Sequence, residues 1–206
     1  DEVAITVDGR LWCAGIDPRR VEAHARALHA NYIHSDNWLV LARAGLSKQP
    51  HDKISLLITG LPVSQTRDQD RIRVMQARLR GTHQIGVRCV AVEEVHVVAQ
   101  PIGTYFAYLV SPNADLDLVS QGTVLVLDVG YYSVDWAVIV GGDLRRGASA
   151  TSTQAMSVLI ESTANAIAGN TGTSQPAVIE HALRSGQHHI YQKGKKIAIL
   201  PYTQTA

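Results

Sequence analysis

The segment 122–140 constrains the fold more than any other part of this sequence. Residues Val124 to Leu127 form an uninterrupted apolar run, which predicts a strand buried on both faces. That strand ends at Asp128, and Gly130 stands in a tight turn that leads into an alternating second strand from Ser133 to Val140. A strand of this kind needs a layer on each side, so the segment indicates a layered α/β fold.

Strands and helices alternate along the rest of the chain. Asp8-Gly9 between two alternating segments predicts a β-hairpin, and Ser35 before an amphipathic run predicts a capped helix. The other predicted elements are, in chain order, a loop and Ala-rich helical segment at 17–34, a strand at 54–61, a helix at 65–80 closing at Gly81, strands at 84–92 and 95–99, helix 102–109, strand 143–148, helices 153–168 and 176–184, and a hairpin at 188–200. No internal repeat is present.

A loop of turn-forming residues at 111–115 marks the best domain boundary. It predicts two α/β halves, residues 1–118 and 119–206. The second half contains little sheet beyond its strand–turn–strand meander, and the chain begins at Asp1 rather than Met. These two features favour a trimmed chain that carries an incomplete two-domain fold.

Composition excludes several classes of protein. The chain has 206 residues, with 19 Lys+Arg against 18 Asp+Glu and a net charge of +1, so it lacks the basic excess of a non-specific nucleic-acid binder. Hydrophobic residues make up 46% and charged residues 18%, which favours a globular core over disorder. No apolar run is long enough for a membrane span and no secretory leader opens the chain, so we expect neither membrane association nor direct sequence-specific nucleic-acid binding.

Cys13 and Cys89 lie far apart and outside any CxxC pair. Free cysteines are commonly buried, so the sequence predicts two reduced, buried thiols, with a disulfide between them as the alternative. Reduced thiols fit a cytoplasmic location.

The run Asp128-Val129-Gly130 combines a carboxylate at a strand end with a glycine turn. Turns of this type can present backbone N–H groups to a phosphate while the carboxylate holds a hydrated Mg²⁺. The alternative is a structural hairpin in which Asp128 only caps the turn. Spacing alone leaves both interpretations open.

Four motifs in order resemble one known family. The run from Asp128 to Asp135 is similar to the D-x-G-x-x-x-x-D phosphate hairpin of the actin, Hsp70 and sugar-kinase superfamily, as found in plasmid-segregation actin-like ATPases of the ParM/StbA type. Upstream, the segment 97–106 resembles the start of the helix that carries the family's water-positioning residue. Leu57 to Ser64 resembles the family's L-x-x-G-L-P-V loop, and segment 80–83 its G-T-H turn. The resemblance covers about residues 1–160 and implies an actin-like (ribonuclease H-like) two-domain fold.

The resemblance also implies functional residues, an activity and partners. Asp128 would hold Mg²⁺, Gln100 would align the attacking water, and Gly130, Tyr131, Tyr132 and Ser133 would bind the phosphates of ATP. ATP hydrolysis would regulate self-association into filaments that segregate plasmid DNA, with an adaptor/DNA complex as a further partner. A surface Gln that caps the following helix is the alternative for Gln100.

Two departures from the family qualify these expectations. Neither the first phosphate loop nor the Gly-Gly adenosine turn of the family occurs in the sequence, and Tyr131 and Tyr132 replace smaller residues. The chain itself is therefore expected to carry part of a nucleotide site, to bind ATP weakly and to be inactive alone. The competing hypothesis is an actin-fold assembly or interaction module with little or no ATP turnover.

Two other groups of residues could have functional roles. Arg67, Arg71 and Arg78 share a face of the predicted helix 65–80, as in a basic polymer contact, but a solvated face interleaved with acids is favoured. His188-His189 lacks further ligands at metal spacing, which favours an exposed strand.

Overall fold

A computed structural model describes residues 2–16, 20, 29, 31–173 and 175–204 of the chain. It divides into two compact units, residues 1–120 and residues 121–206. Each unit has its own hydrophobic core. The assignment of predicted segments 1–118 and 119–206 to the two actin domains stays a prediction.

Unit 1 begins with an antiparallel hairpin of β1 (Val3–Val7) and β2 (Arg10–Ala14), as predicted. Asp8 and Gly9 form the turn with φ of 47° and 77°, the left-handed conformation that two-residue hairpin turns require. The predicted helical segment at 17–34 falls mostly outside the described residues, apart from a 3-10 turn at Tyr32–His34. Helix α1 (Asp36–Ser47) follows, and the Ser35 side chain caps it by accepting a hydrogen bond from the Trp38 N–H.

The main sheet of unit 1 has the strand order β3-β5-β4, formed by β3 (Lys53–Leu61), β4 (Gly81–Ile85) and β5 (Arg88–Ala99). Strands β3 and β5 are parallel. A 3-10 turn (Val63–Arg67) and α2 (Gln69–Leu79) connect β3 to β4, and α2 packs on β5. Helix α2 ends before Gly81, which opens β4 instead of capping the helix as predicted.

The predicted break between strands 84–92 and 95–99 is wrong. Residues Arg88 to Ala99 form one continuous strand, and the real turn lies at Gly86, which has a φ of 59°. The predicted break fell at Glu93 and Glu94, whose side chains are both exposed; Glu93 is ion-paired with Lys53 at 2.9 Å, and Glu94 is hydrogen-bonded to His96 at 2.7 Å. Exposed charged residues on either face therefore do not interrupt the strand. Helices α3 (Gln100–Leu109) and α4 (Leu116–Gln121) complete unit 1.

Unit 2 is built on a meander of β6 (Thr123–Val129), β7 (Val134–Val140) and β8 (Asp143–Leu144), with β9 (Ala150–Ser152) paired to β7. Strand β8 is shorter than predicted. Helices α5 (Met156–Thr171) and α6 (Pro176–Arg184) follow, then the predicted hairpin of β10 (His189–Gln192) and β11 (Lys195–Ala198), and finally α7 (Leu200–Thr203). The core of unit 2 joins α5, α6 and the β10–β11 hairpin.

The prediction that Val124 to Leu127 is buried on both faces is wrong. Val126 is buried, whereas Leu125 and Leu127 are 59% and 58% exposed. Side chains alternate between the two faces of a strand, so one face of β6 packs and the other remains open. The apolar run makes both faces of the strand apolar, but it does not ensure that another element packs on the second face.

The predicted burial of the cysteines is also wrong. Cys13 and Cys89 are free thiols but both are exposed, on strands that alternate toward solvent at those positions. The arginine face of α2 serves the chain's own structure, because Arg71 pairs with Asp68 at 3.1 Å and Arg78 donates to the carbonyls of His34 and Ser35. Within the described ranges, no helix has the length and apolar character needed to cross a membrane.

Candidate functional site

The turn between β6 and β7 brings together most of the predicted site residues. Asp128 is the penultimate residue of β6 and pairs directly with Asp135 of β7. Paired residues on antiparallel strands point to the same face, with Cβ atoms about 4.5–5.5 Å apart. Two carboxylates of like charge therefore share one side of the hairpin, next to its turn.

Gly130 closes this turn at very short range. Its N–H donates to the Ser133 carbonyl at 2.9 Å. A Cβ atom at position 130 would lie 2.8 Å from the same carbonyl oxygen, which is closer than real Cβ atoms approach backbone. Any side chain at this position would push the turn open, so the glycine is required for close approach and not for a positive φ.

Helix α5 holds the other side of the turn. The Met156 and Ser157 amides donate to the carbonyls of Gly130 and Tyr131, at 3.4 Å and 2.9 Å. No side chain caps α5, whose N-cap residue is Ala155. The turn carbonyls thus satisfy N–H groups that a helix start otherwise leaves without partners. This contact fixes the turn relative to α5.

The Asp135 side chain stabilises the hairpin through two hydrogen bonds. Its side chain is only 1% exposed, and its carboxylate accepts hydrogen bonds from the hydroxyls of Ser133 at 2.7 Å and Thr151 at 2.5 Å. The carboxylate therefore connects the turn to β9. Asp135 is not among the predicted site residues, although it ends the D-x-G-x-x-x-x-D pattern and alternation places it on the same face as Ala137 and Ile139.

A pocket of about 270 Å³ lies against the turn, entirely within unit 2. Its lining is mainly apolar and comes from the turn, from α5 and from α6: Val129, Gly130, Tyr131, Met156, Ile160, Glu180, Leu183 and Arg184. Glu180 is buried, and the more exposed Arg184 pairs with it at 3.1 Å. An apolar cleft with a few fixed polar groups is typical of small-molecule sites.

Gln100 lies in unit 1, at the first residue of α3. The helix begins two residues earlier than predicted, because Pro101 falls in the first turn, where its missing N–H removes no helical hydrogen bond. Gln100 does not act as the N-cap, which is Ala99. A Cβ at Gly60, near the end of β3, would lie 2.8 Å from Gln100 Cγ, so Gly60 leaves the room that the glutamine occupies.

The first half of the chain matches a known family. The family model for the N-terminal domain of actin-like proteins matches residues 1–103. This chain belongs to the actin-like proteins. No curated protein sequence matches it significantly.

Solved structures show that the fold of this actin-like chain is shared over nearly all its length. It is similar to the archaeal actin homologue Ta0583, with a TM-score of 0.70 and 15% identity over 99% of this chain and 65% of that one. A ParM filament from Clostridium botulinum matches with a TM-score of 0.64 and 19% identity, over 86% and 56%. The actin-like protein Alp7A matches with a TM-score of 0.62 and 14% identity, over 99% and 61%. The chain spans 56–65% of the length of these relatives.

The predicted actin-like α/β fold is thus confirmed. The structure brings Asp128, Gly130, Tyr131, Tyr132 and Ser133 together at one turn and places Gln100 in the other unit. Sequence reasoning did not identify Asp135 or Thr151, or the α5 amides that hold the turn. Across the described part of this actin-like chain, no group of three metal-ligating side chains occurs.

Two side chains beside α2 have shifted pKa values, Asp68 and Tyr32. Hydrogen bonds from the Arg71 and Asp70 amides, with the Arg71 charge, hold the pKa of Asp68 below its usual value despite some desolvation. Burial raises the pKa of Tyr32. The Asp68 shift reports a helix cap, since this carboxylate accepts from the first N–H groups of α2.

Proposed function

We propose that this chain carries part of the nucleotide site of an actin-like ATPase that forms filaments and segregates plasmid DNA. The observation that carries the proposal is the β6–β7 turn, where a carboxylate, a glycine-closed loop and an open pocket meet. Two relatives support it by what their structures are: Ta0583 is described in complex with ADP, and the ParM relative as a filament.

The phosphates are assigned to the tip of the turn. The Gly130 N–H is already used inside the turn, so its role is to keep the loop tight. We assign the phosphate contacts to the amides of Tyr131, Tyr132 and Ser133, which follow it. Successive amides in a tight turn form a concave site for anions. The apolar pocket beside Tyr131 is assigned to the nucleoside half of the same ligand.

Asp128 suits a Mg²⁺ ion bound together with the phosphates. It supplies one half-buried carboxylate, and Mg²⁺ commonly takes one or two carboxylates with water and phosphate oxygens as its other ligands. When bound, the ion supplies positive charge that stabilises the transferring phosphoryl group. Asp135, opposite Asp128 on the neighbouring strand, fixes the turn through its hydrogen bonds with Ser133 and Thr151.

Gln100 is proposed to orient the attacking water. Its amide is uncharged, so the carbonyl accepts a hydrogen bond from water without removing the proton. Phosphoryl transfer has a loose transition state, in which alignment of the nucleophile is much of what a side chain contributes. Gln100 is exposed, and Gly60 gives its side chain room. Hydrolysis would then weaken the filament.

Calorimetric titration with Mg²⁺-ADP tests the proposal. The wild-type chain is expected to bind weakly, and Asp128→Asn to lose at least about tenfold in affinity when Mg²⁺ is present but little when it is absent. Asp143→Asn, in exposed strand β8, is the matched control. Equal affinities for the wild type and Asp128→Asn would overturn the site assignment.

ATP turnover is tested in the protein expressed from its whole reading frame. Gln100→Ala is expected to slow phosphate release at least about tenfold while nucleotide binding and polymerisation stay nearly intact, so its filaments persist longer. An assembly module without turnover would instead polymerise normally and show no hydrolysis to slow. Loss of polymerisation with unchanged hydrolysis per bound nucleotide would make Gln100 structural.

A further inference from the structure

The β10–β11 hairpin carries a local charge that the net charge of the chain conceals. Residues 181–206 contain no Asp or Glu, but they contain Arg184, Lys193, Lys195 and Lys196. Three of these cations stand at the hairpin turn or directly after it. The hairpin is therefore a basic surface on a chain whose net charge is only +1.

The buried inner side of the hairpin holds this surface in place. Ile190 and Gln192 are buried on its inner side, and Gln192 Nε2 donates to the Thr173 carbonyl at 2.7 Å. On the outer side Tyr191 is 65% exposed, pairs across the strands with Lys196, and meets the His189 ring edge-on at 5.4 Å. We call the outer-side residues His189, Tyr191 and Lys196 the basic ribbon. Tyrosine is enriched at protein interfaces, because its ring offers apolar area with a polar end.

A surface of opposite charge lies in unit 1, at the start of α4. Leu116 and Leu118 are 57% and 65% exposed, and the acidic residues Asp115 and Asp117 alternate with them and are also exposed. The Asp115 carboxylate caps the short helix by accepting from the Leu118 N–H at 2.9 Å, which holds the segment in place. We call residues 115–118 the acidic patch.

We propose that the basic ribbon of one copy binds the acidic patch of a second copy. Each surface combines exposed apolar groups with charges of one sign, and the two signs are opposite. Aromatic anchors with complementary charges around them are typical of the energetic centre of an interface. Because the two surfaces differ, the contact is head-to-tail, and repeated copies form an open array unless the rotation closes a ring.

This inference rests on the proposed function, since it names the surfaces through which the chain would self-associate. It favours a second copy over nucleic acid as the partner. Binding through phosphate contacts requires many cations, whereas the outer face of the ribbon offers few, with an aromatic ring at its centre. Leucines between carboxylates match such a ring better than a phosphate backbone does.

The first test removes the apolar centre of each surface. Tyr191→Ser and Leu118→Ser are each expected to raise the protein concentration needed for nucleotide-dependent pelleting by about tenfold. Leu11→Ser is the matched control, because Leu11 is 77% exposed on β2 and belongs to neither surface. If the wild type pellets and both variants pellet equally well, this inference fails while the proposed function stands. If the wild type never assembles, both fail.

The second test exchanges the charges. Lys196→Glu and Asp117→Lys are each expected to weaken assembly about two- to fivefold, and the double variant to restore it. Arg80→Glu with Glu161→Lys is the control exchange, at exposed positions outside both surfaces. Failure of the double variant to regain assembly would overturn the pairing. If Lys196→Glu assembled normally but lost binding to duplex DNA, the ribbon would be a nucleic-acid surface instead.

Discussion

The two hairpins β1–β2 and β6–β7 both have an aspartate and a glycine at or near the turn, but they use these residues differently. In the first, Asp8 and Gly9 both adopt positive φ, and a Cβ at Gly9 would meet nothing within 4 Å. In the second, Gly130 is required because the Ser133 carbonyl lies against it, and Asp135 is buried with two hydroxyl donors. The first hairpin depends on backbone conformation, whereas the second depends on close packing and buried hydrogen bonds.

The largest difference is expected on removal of the aspartates. Asp135→Ala should lower the free energy of unfolding by on the order of 1–3 kcal/mol for each hydroxyl left without an acceptor. Asp8→Ala should cost only about 1 kcal/mol, for a side chain placed in the left-handed region. Urea unfolding of both variants measures this. Equal losses would show that the Asp135 contacts with Ser133 and Thr151 contribute little.

Replacement of the glycines separates steric contact from conformational freedom. Gly130→Ala should destabilise the chain by about 1–3 kcal/mol through overpacking and also weaken nucleotide binding, because the turn must open. Gly9→Ala should cost about 1–2 kcal/mol through its φ alone and leave nucleotide binding unchanged. Thermal unfolding measures the loss of stability in each glycine variant, and a separate calorimetric titration with Mg²⁺-ADP measures its nucleotide affinity. A Gly130→Ala chain that binds as tightly as wild type would contradict the assigned site.

Gly60 extends the comparison to a glycine whose close neighbour is a side chain. A methyl group there would meet Gln100 Cγ at 2.8 Å and its Cα at 3.2 Å, so Gln100 can yield partly by rotating. Rotation does not relieve the contact with the backbone Cα, so Gly60→Ala should destabilise the chain by about 1–3 kcal/mol and slow hydrolysis about tenfold, as is expected of Gln100→Ala. Phosphate-release assays of the two single variants and the double variant check this. Additive losses in the double variant would mean that Gly60 does not act through Gln100.

The smallest effect is expected from an exposed carboxylate, in contrast to buried Asp135. The pKa of Asp68 is lowered from its ordinary 3.8, mainly by the Arg71 amide, so its charged form stabilises the native state. That contribution is complete above the ordinary pKa and is lost as pH falls through the lowered native value. Asp68→Asn should therefore lower the thermal stability slightly at neutral pH, converge with the wild type at low pH and so flatten the acid limb of a thermal unfolding series. An acid limb identical to that of the wild type would contradict it.

The sequence predicts what depends on neighbouring residues. The Asp8-Gly9 turn, the Ser35 cap and the strands around Lys193-Gly194 all follow from local chemistry, and the structure confirms them. The link from Asp135 to Thr151 joins residues 16 positions apart, and no local pattern indicates which hydroxyl a buried carboxylate will meet. The same limit explains the exposed Leu125 and Leu127, because an apolar run does not specify what covers each face.

The hydrogen bond from the Ser157 amide to the Tyr131 carbonyl makes one proton a reporter for the whole turn. That amide has no intrahelical acceptor, so it is protected from exchange with solvent deuterium only while the turn stays closed. Its exchange rate therefore measures how often the loop opens, without any label on the loop itself. Anything that tightens residues 130–133 will slow deuterium uptake at the first turn of α5, and Gly130→Ala will accelerate it.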